Sequence, residues 1–154
     1  MTDGIERALA AHPRFEETGS QFVPTQTTFD ARVFVADGTV RIENDLPTLN
    51  AAVEDETVAP VVEDGWFETF ERRVVDADGV TRTDAVDVTT VEREAATVTV
   101  VTEIEPSPGT AGEDVIAIVS FVEGTWMEGI IPGYEYVDQV ERIRDRARRN
   151  AQSG

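Results

Sequence analysis

A chain of 154 residues falls in the size range of one domain, long enough to bury most of its unfolded surface. It carries 31 acidic residues against 13 basic ones, a formal net charge of −18; every basic residue is Arg, and neither Lys nor Cys occurs. Those absences exclude disulfides, thiolate nucleophiles, Cys-held zinc, Walker-type nucleotide hydrolysis and Schiff-base chemistry, and no apolar run approaches the roughly 18 residues that span a bilayer.

Residues 3–11 read as a short helix: Asp3 can cap it, Ile5, Ala8 and Leu9 form its apolar stripe, and His12-Pro13 ends it. Residues 14–26 have no clear period, and Gly19, Ser20 and Pro24 suggest a loop. Next, Phe29 to Ala36 and Thr39 to Asn44 alternate on either side of Asp37-Gly38, the dipeptide suited to a two-residue type I′ turn, so a β-hairpin is expected. Asp45 is read as the cap of a helix carrying Leu46, Leu49 and Val53. The acidic stretch 54–63 with Pro60 reads as a connection. From Asp64 the spacing of Trp66, Phe70 and Val74 is helical, because strand alternation would put Glu68 and Arg72 on the aromatic face.

Three further strands are expected at Ala85–Arg93, Ala96–Glu105 and Asp114–Val122, the last of them central because Val115 to Val119 is apolar on both faces. A C-terminal helix from about Tyr134 to Arg149 follows the turn-rich segment Gly124-Thr-Trp-Met-Glu-Gly-Ile-Ile-Pro-Gly133. The whole predicts a single α+β domain over 1–149 with a frayed tail at 150–154. Its core is a twisted, mainly antiparallel sheet of about five strands, a hairpin plus a three-strand meander, packed against N-terminal, central and C-terminal helices. This element order resembles secretion-chaperone-like α+β folds, a likeness of order that no residue motif accompanies.

An excess of carboxylates raises the energy of a compact domain by self-repulsion, which molar salt screens. Loss of Lys also strips long apolar stems from the surface. Together with the Gly124–Gly133 segment, this composition resembles the small uncharacterised protein families of haloarchaea, a likeness that brings no activity with it. It implies a cytoplasmic protein working in high salt.

Candidate chemistry is sparse. His12 is the one histidine and sits at a helix end. Asp76-x-Asp78-Gly79 lacks the flanking ligands of a calcium loop, since Val74 and Ala85 stand where carboxylates are needed. Gly124 to Gly129 has phosphate-loop spacing without its Lys. No metal site, cofactor or catalytic residue is therefore expected. Two features remain. Trp126, Tyr134 and Tyr136 either anchor the C-terminal helix in the core or line a partly exposed groove. Arg142, Arg144, Arg146, Arg148 and Arg149 give residues 138–149 five cations against three acids in an otherwise acidic chain. Arg142, Arg146 and Arg149 share one helical face and could rim a docking surface. The reading is a non-enzymatic protein-interaction or regulatory domain with Trp126, Tyr134, Tyr136, Arg142, Arg146 and Arg149 as candidate partner-binding residues. The alternative is a small-molecule-binding domain or an enzyme using carboxylates. Nucleic acid is disfavoured because molar salt attenuates phosphate attraction.

Overall fold

The computed structural model describes residues 2–143 and 145. Six antiparallel strands form one sheet in the order β1-β2-β3-β4-β6-β5. The strands are β1 Phe15–Thr18, β2 Gln21–Pro24, β3 Asp30–Ala36, β4 Thr39–Pro47, β5 Val86–Glu94 and β6 Thr97–Ile104. The helices are α1 Thr2–Ala11, α2 Leu49–Ala52, α3 Pro60–Val74 and α4 Ala111–Glu128, with 138–143 helical beyond them. The α+β class, the antiparallel sheet and the flanking helices stand as expected, with one strand more than the sequence suggested.

The Asp37-Gly38 hairpin is present. Asp37 at φ 53° and Gly38 at φ 80° give the two left-handed residues of a type I′ turn, and the register runs Val35↔Val40, Val33↔Ile42, Ala31↔Asn44. Helix α3 and strands β5 and β6 also lie where periodicity put them. Three expectations are corrected. Residues 14–26 are not a loop but the hairpin β1–β2, turned by Gly19 at φ 62° and Ser20. Asp45 caps no helix: β4 runs on to Pro47, pairing Leu46 with Val98, and Thr48 caps the four-residue α2 through its hydroxyl. Asp114–Val122 is not the central strand; it is the middle half of α4, which continues through Gly124 to Glu128 where a turn was expected.

That helix lies under the covered face of the sheet and packs on β4, α1 and α3. Its Val115, Ile118, Val119, Val122 and Trp126 are buried against the sheet residues Val33, Val40, Ile42, Leu46, Val98, Val100 and Ile104. Each such side chain contributes about 1.5–3 kcal/mol on leaving water, so this interface is the main source of stability. Because other helices flank α4, its sides carry Ile116, Ala117 and Phe121 as well, which blurs its buried stripe in the sequence. Asp114 in its first turn is buried and accepts the backbone N–H groups of Arg82 (2.8 Å) and Thr83 (3.3 Å), fixing the segment that leads into β5.

Among the described residues, the opposite face of the sheet carries no helix. Arg32 there donates to Asp45 (2.8 Å) and Glu43 (3.1 Å), and Arg41 pairs with Glu43 at 2.8 Å. At the edge, β5 has a register shift between Val88 and Thr90. Its Arg93 reaches over Phe67 of α3, 4.8 Å from the ring centroid, and pairs with Glu63 (2.9 Å) and Asp64 (2.8 Å).

Candidate functional site

Trp126 is fully buried. Its indole Nε1 donates to the Pro47 carbonyl at 2.8 Å, and its ring meets Phe29 and Trp66 edge to face at centroid distances of 5.1 and 6.2 Å. Trp66 stacks on Phe70 in turn, and Gly129 must be glycine because an added Cβ would sit 2.8 Å from the Trp66 indole nitrogen. Tyr136 is also buried; its hydroxyl donates to the Ile131 carbonyl (2.7 Å) and accepts the Ile131 N–H (2.9 Å). Both rings therefore belong to the core, and neither presents a face to a partner. Tyr134 is half-buried and Arg142 exposed. Arg146 and Arg149 lie outside the described residues.

The segment after α4 is held by backbone bonds. Val53 bridges antiparallel to Tyr136, Glu54 N–H donates to Glu135 (2.7 Å), and Val137 N–H donates to Ala52 (2.8 Å). This positions the helix beginning at 138 beside the β2–β3 connection, where the Gln139 amide donates to the Thr28 carbonyl. Between them opens a cleft of about 530 Å³ lined by Gln26, Thr27, Thr28, Gln139, Arg142 and Ile143. Among the described residues, no side chain pairs with Arg142, and no carboxylate belongs to this lining.

The wall of the cleft is fixed from behind. Glu123 on α4 accepts the N–H groups of Thr28 (2.9 Å) and Phe29 (2.8 Å) on one oxygen, Oε2. Burial pushes its carboxyl above the usual carboxylate range, against those two hydrogen bonds, which pull it down. Arg14, Gln26, Thr27 and Ser120 surround Glu123 about a cavity of only about 10 Å³, room for roughly a single water. A perturbed carboxyl in a cleft would suggest acid–base work, but here both hydrogen bonds go to the chain itself. Sequence reasoning missed Glu123, Gln139 and the 25–28 segment. The one signal was the polar run Thr25-Gln-Thr-Thr28 between Pro24 and the buried Phe29.

Elsewhere the surface is acidic. A recess of about 410 Å³ at the start of β5 holds Asp84, Asp87, Glu103 and Glu105. His12 accepts the Arg14 N–H on Nδ1 (3.1 Å) and packs against Phe15, with Gly112 leaving room for its ring. Among the described residues, no group of three or more acidic or His side chains could hold a metal ion, and no helix is long and apolar enough to cross a membrane.

Comparison with curated proteins and with solved structures found no match. A family model covers residues 10–146, nearly all of the fold just described, and the chain belongs to that family, a family of unknown function (DUF5813).

Proposed function

We propose that this chain is a non-enzymatic interaction domain of a halophilic archaeon, cytoplasmic, and that it docks a protein partner at the cleft between residues 26–28 and the helix beginning at 138. The observation that carries this reading is electrostatic. In a chain with 31 acidic residues, Arg142 stands exposed without a described acidic partner, at a cleft whose described lining holds no carboxylate. Arg32, Arg41 and Arg93 pair with carboxylates, while Arg7, Arg14, Arg72 and Arg82 form no described ion pair, so what sets Arg142 apart is its place in the lining of a cleft. Trp126 and Tyr136 lie inside the core, and the half-buried Tyr134 is not in the described lining of the cleft. The described rim is then Arg142. In high salt, long-range attraction is screened, so such a partner is held by close contacts.

The test is recovery of a partner in molar KCl by the full chain, by Arg142→Glu and by Arg82→Glu, an exposed arginine remote from the cleft. A partner retained by the wild type and by Arg82→Glu but lost by Arg142→Glu supports the reading. Equal recovery by all three proteins, with melts showing each folded, removes the cleft from the interaction.

The size of the cleft favours a second reading, a small-molecule-binding domain, since about 530 Å³ lies within the range of roughly 300–1,000 Å³ common for ligand sites.

A further inference from the structure

We infer that the cleft at Gln26–Thr28 and Gln139–Ile143 is an oxyanion site: the group it takes is a phosphate or a carboxylate. This rests on reading the cleft as the recognition site and adds the chemistry of what enters it. The Arg142 guanidinium offers a planar fork of N–H donors matched to the two oxygens of a carboxylate or phosphate. The hydroxyls of Thr27 and Thr28 and the amide of Gln26 line the same space and make no hydrogen bond to another described residue. The lining is therefore rich in donors left open. The wall that carries them is already ordered, by Glu123 accepting from Thr28 and Phe29 and by Gln139 donating to the Thr28 carbonyl. An incoming anion need not organise the loop, which lowers the cost of binding it.

Selectivity follows from the contrast with the acidic recess and with the uncovered sheet face. The recess at Asp84, Asp87, Glu103 and Glu105 repels an anion, and the uncovered sheet face commits Arg32 and Arg41 to Glu43 and Asp45. Asp138 and Glu141 stand on the same helical segment as Arg142 but do not line the cleft. Glu123, the carboxyl behind the wall, turns its Oε2 to two backbone N–H groups rather than to the opening. Ile143 supplies an apolar side for the carbon skeleton of a ligand.

The oxyanion could be free or could sit on an acidic side chain of a protein partner, and the probes separate these. Isotopically labelled full chain, at ionic strength fixed with KCl, is titrated with inorganic phosphate, citrate and a glutamate-rich peptide, following backbone amide shifts by NMR. The expected result is saturable movement at residues 26–28 and 139–143 with phosphate or citrate. Binding should weaken about tenfold or more in Arg142→Gln, the weight of one charge-assisted pair, and stay unchanged in Arg82→Gln. A response to the peptide alone assigns the oxyanion to a partner's side chain and still supports the inference. No saturable shift from any probe, or equal weakening by both variants, overturns it. Failure here with partner recovery still dependent on Arg142 would leave the docking reading standing. Oxyanion binding with partner recovery independent of Arg142 would do the reverse.

Discussion

Glu123 offers the most demanding check on how the fold holds the cleft, because one carboxylate oxygen does two jobs. Thr28 and Phe29 both donate to Oε2, at 2.9 and 2.8 Å. Replacing Glu123 with Ala leaves both N–H groups without their acceptor in a part-buried site, where water entering the vacated space replaces the carboxylate only in part. An unmade bond to a buried donor costs about 1–3 kcal/mol, so the pair should cost about 2–4 kcal/mol once partial solvation is allowed for. Glu123→Gln is different, since a single amide oxygen can stand where Oε2 stands and accept both. It should stay within about 1 kcal/mol of the wild type near neutral pH. The two proteins should also diverge with pH in a defined direction. Burial raises the Glu123 carboxyl above its ordinary value near 4.5, so over the interval between the two values the folded state binds a proton that the unfolded state has released. Its contribution is full below the unfolded value and is lost as pH rises through the folded one. Wild-type stability minus that of Glu123→Gln should therefore fall as pH rises upward from about 4.5. Taking this difference cancels the titration of the other carboxylates. Urea melts of the three proteins across that range, at constant KCl, supply the numbers. A Gln variant as unstable as the Ala variant, or a difference that is flat or rises with pH, would refute the assigned role.

Three other outcomes are expected. Gly38→Val should destabilise by about 1–2 kcal/mol or more, since Gly38 holds φ 80° and a β-branched residue fits that region poorly; urea titration measures it, and an unchanged midpoint would contradict the turn. Thr102→Val should be neutral or stabilising by about 1 kcal/mol, because Thr102 Oγ1 is fully buried without a hydrogen-bond partner; a clear loss in the same assay would mean the hydroxyl is satisfied. Molar KCl should raise the thermal midpoint relative to dilute buffer, as the Debye length shrinks from about 10 to 3 Å around a charge of −18; a midpoint independent of salt would remove the screening argument.

What could be read without coordinates was whatever local chemistry decided. Asp37-Gly38 needs no distant partner to specify a hairpin, and the Trp66, Phe70, Val74 spacing identifies α3 by itself. The errors arose where tertiary packing set the pattern. In β4 the inward position after Ile42 is Asn44, buried but polar, and that interruption hid the alternation that carries the strand to Leu46. In α4, packing on several sides turned a helix into an apolar, β-branched run that periodicity cannot separate from a buried strand; its continuation through Trp126 was the better guide. The β1–β2 hairpin was obscured by strands of four residues with Glu16 and Glu17 pointing to solvent. At the site, Arg142 stood out as charge against an acidic background. The burial of Trp126 did not, since the carbonyl that receives its N–H lies 79 residues away at Pro47.

The two rims of the sheet bear on how this molecule behaves in a crowd. A strand with free N–H and C=O groups is a template on which another chain can grow. Here one rim is four residues long and carries Glu16 and Glu17, while the other is interrupted at Thr89 and carries Asp87, Glu92 and Glu94. Two copies approaching rim to rim would bring like charges together along a broken ladder, and Arg93, a cation on the β5 rim, is already held by Glu63 and Asp64. Salt concentrated enough to hide the charges would leave the interrupted register in place. The fold thus resists fibre growth by shape where concentrated salt removes the protection of charge.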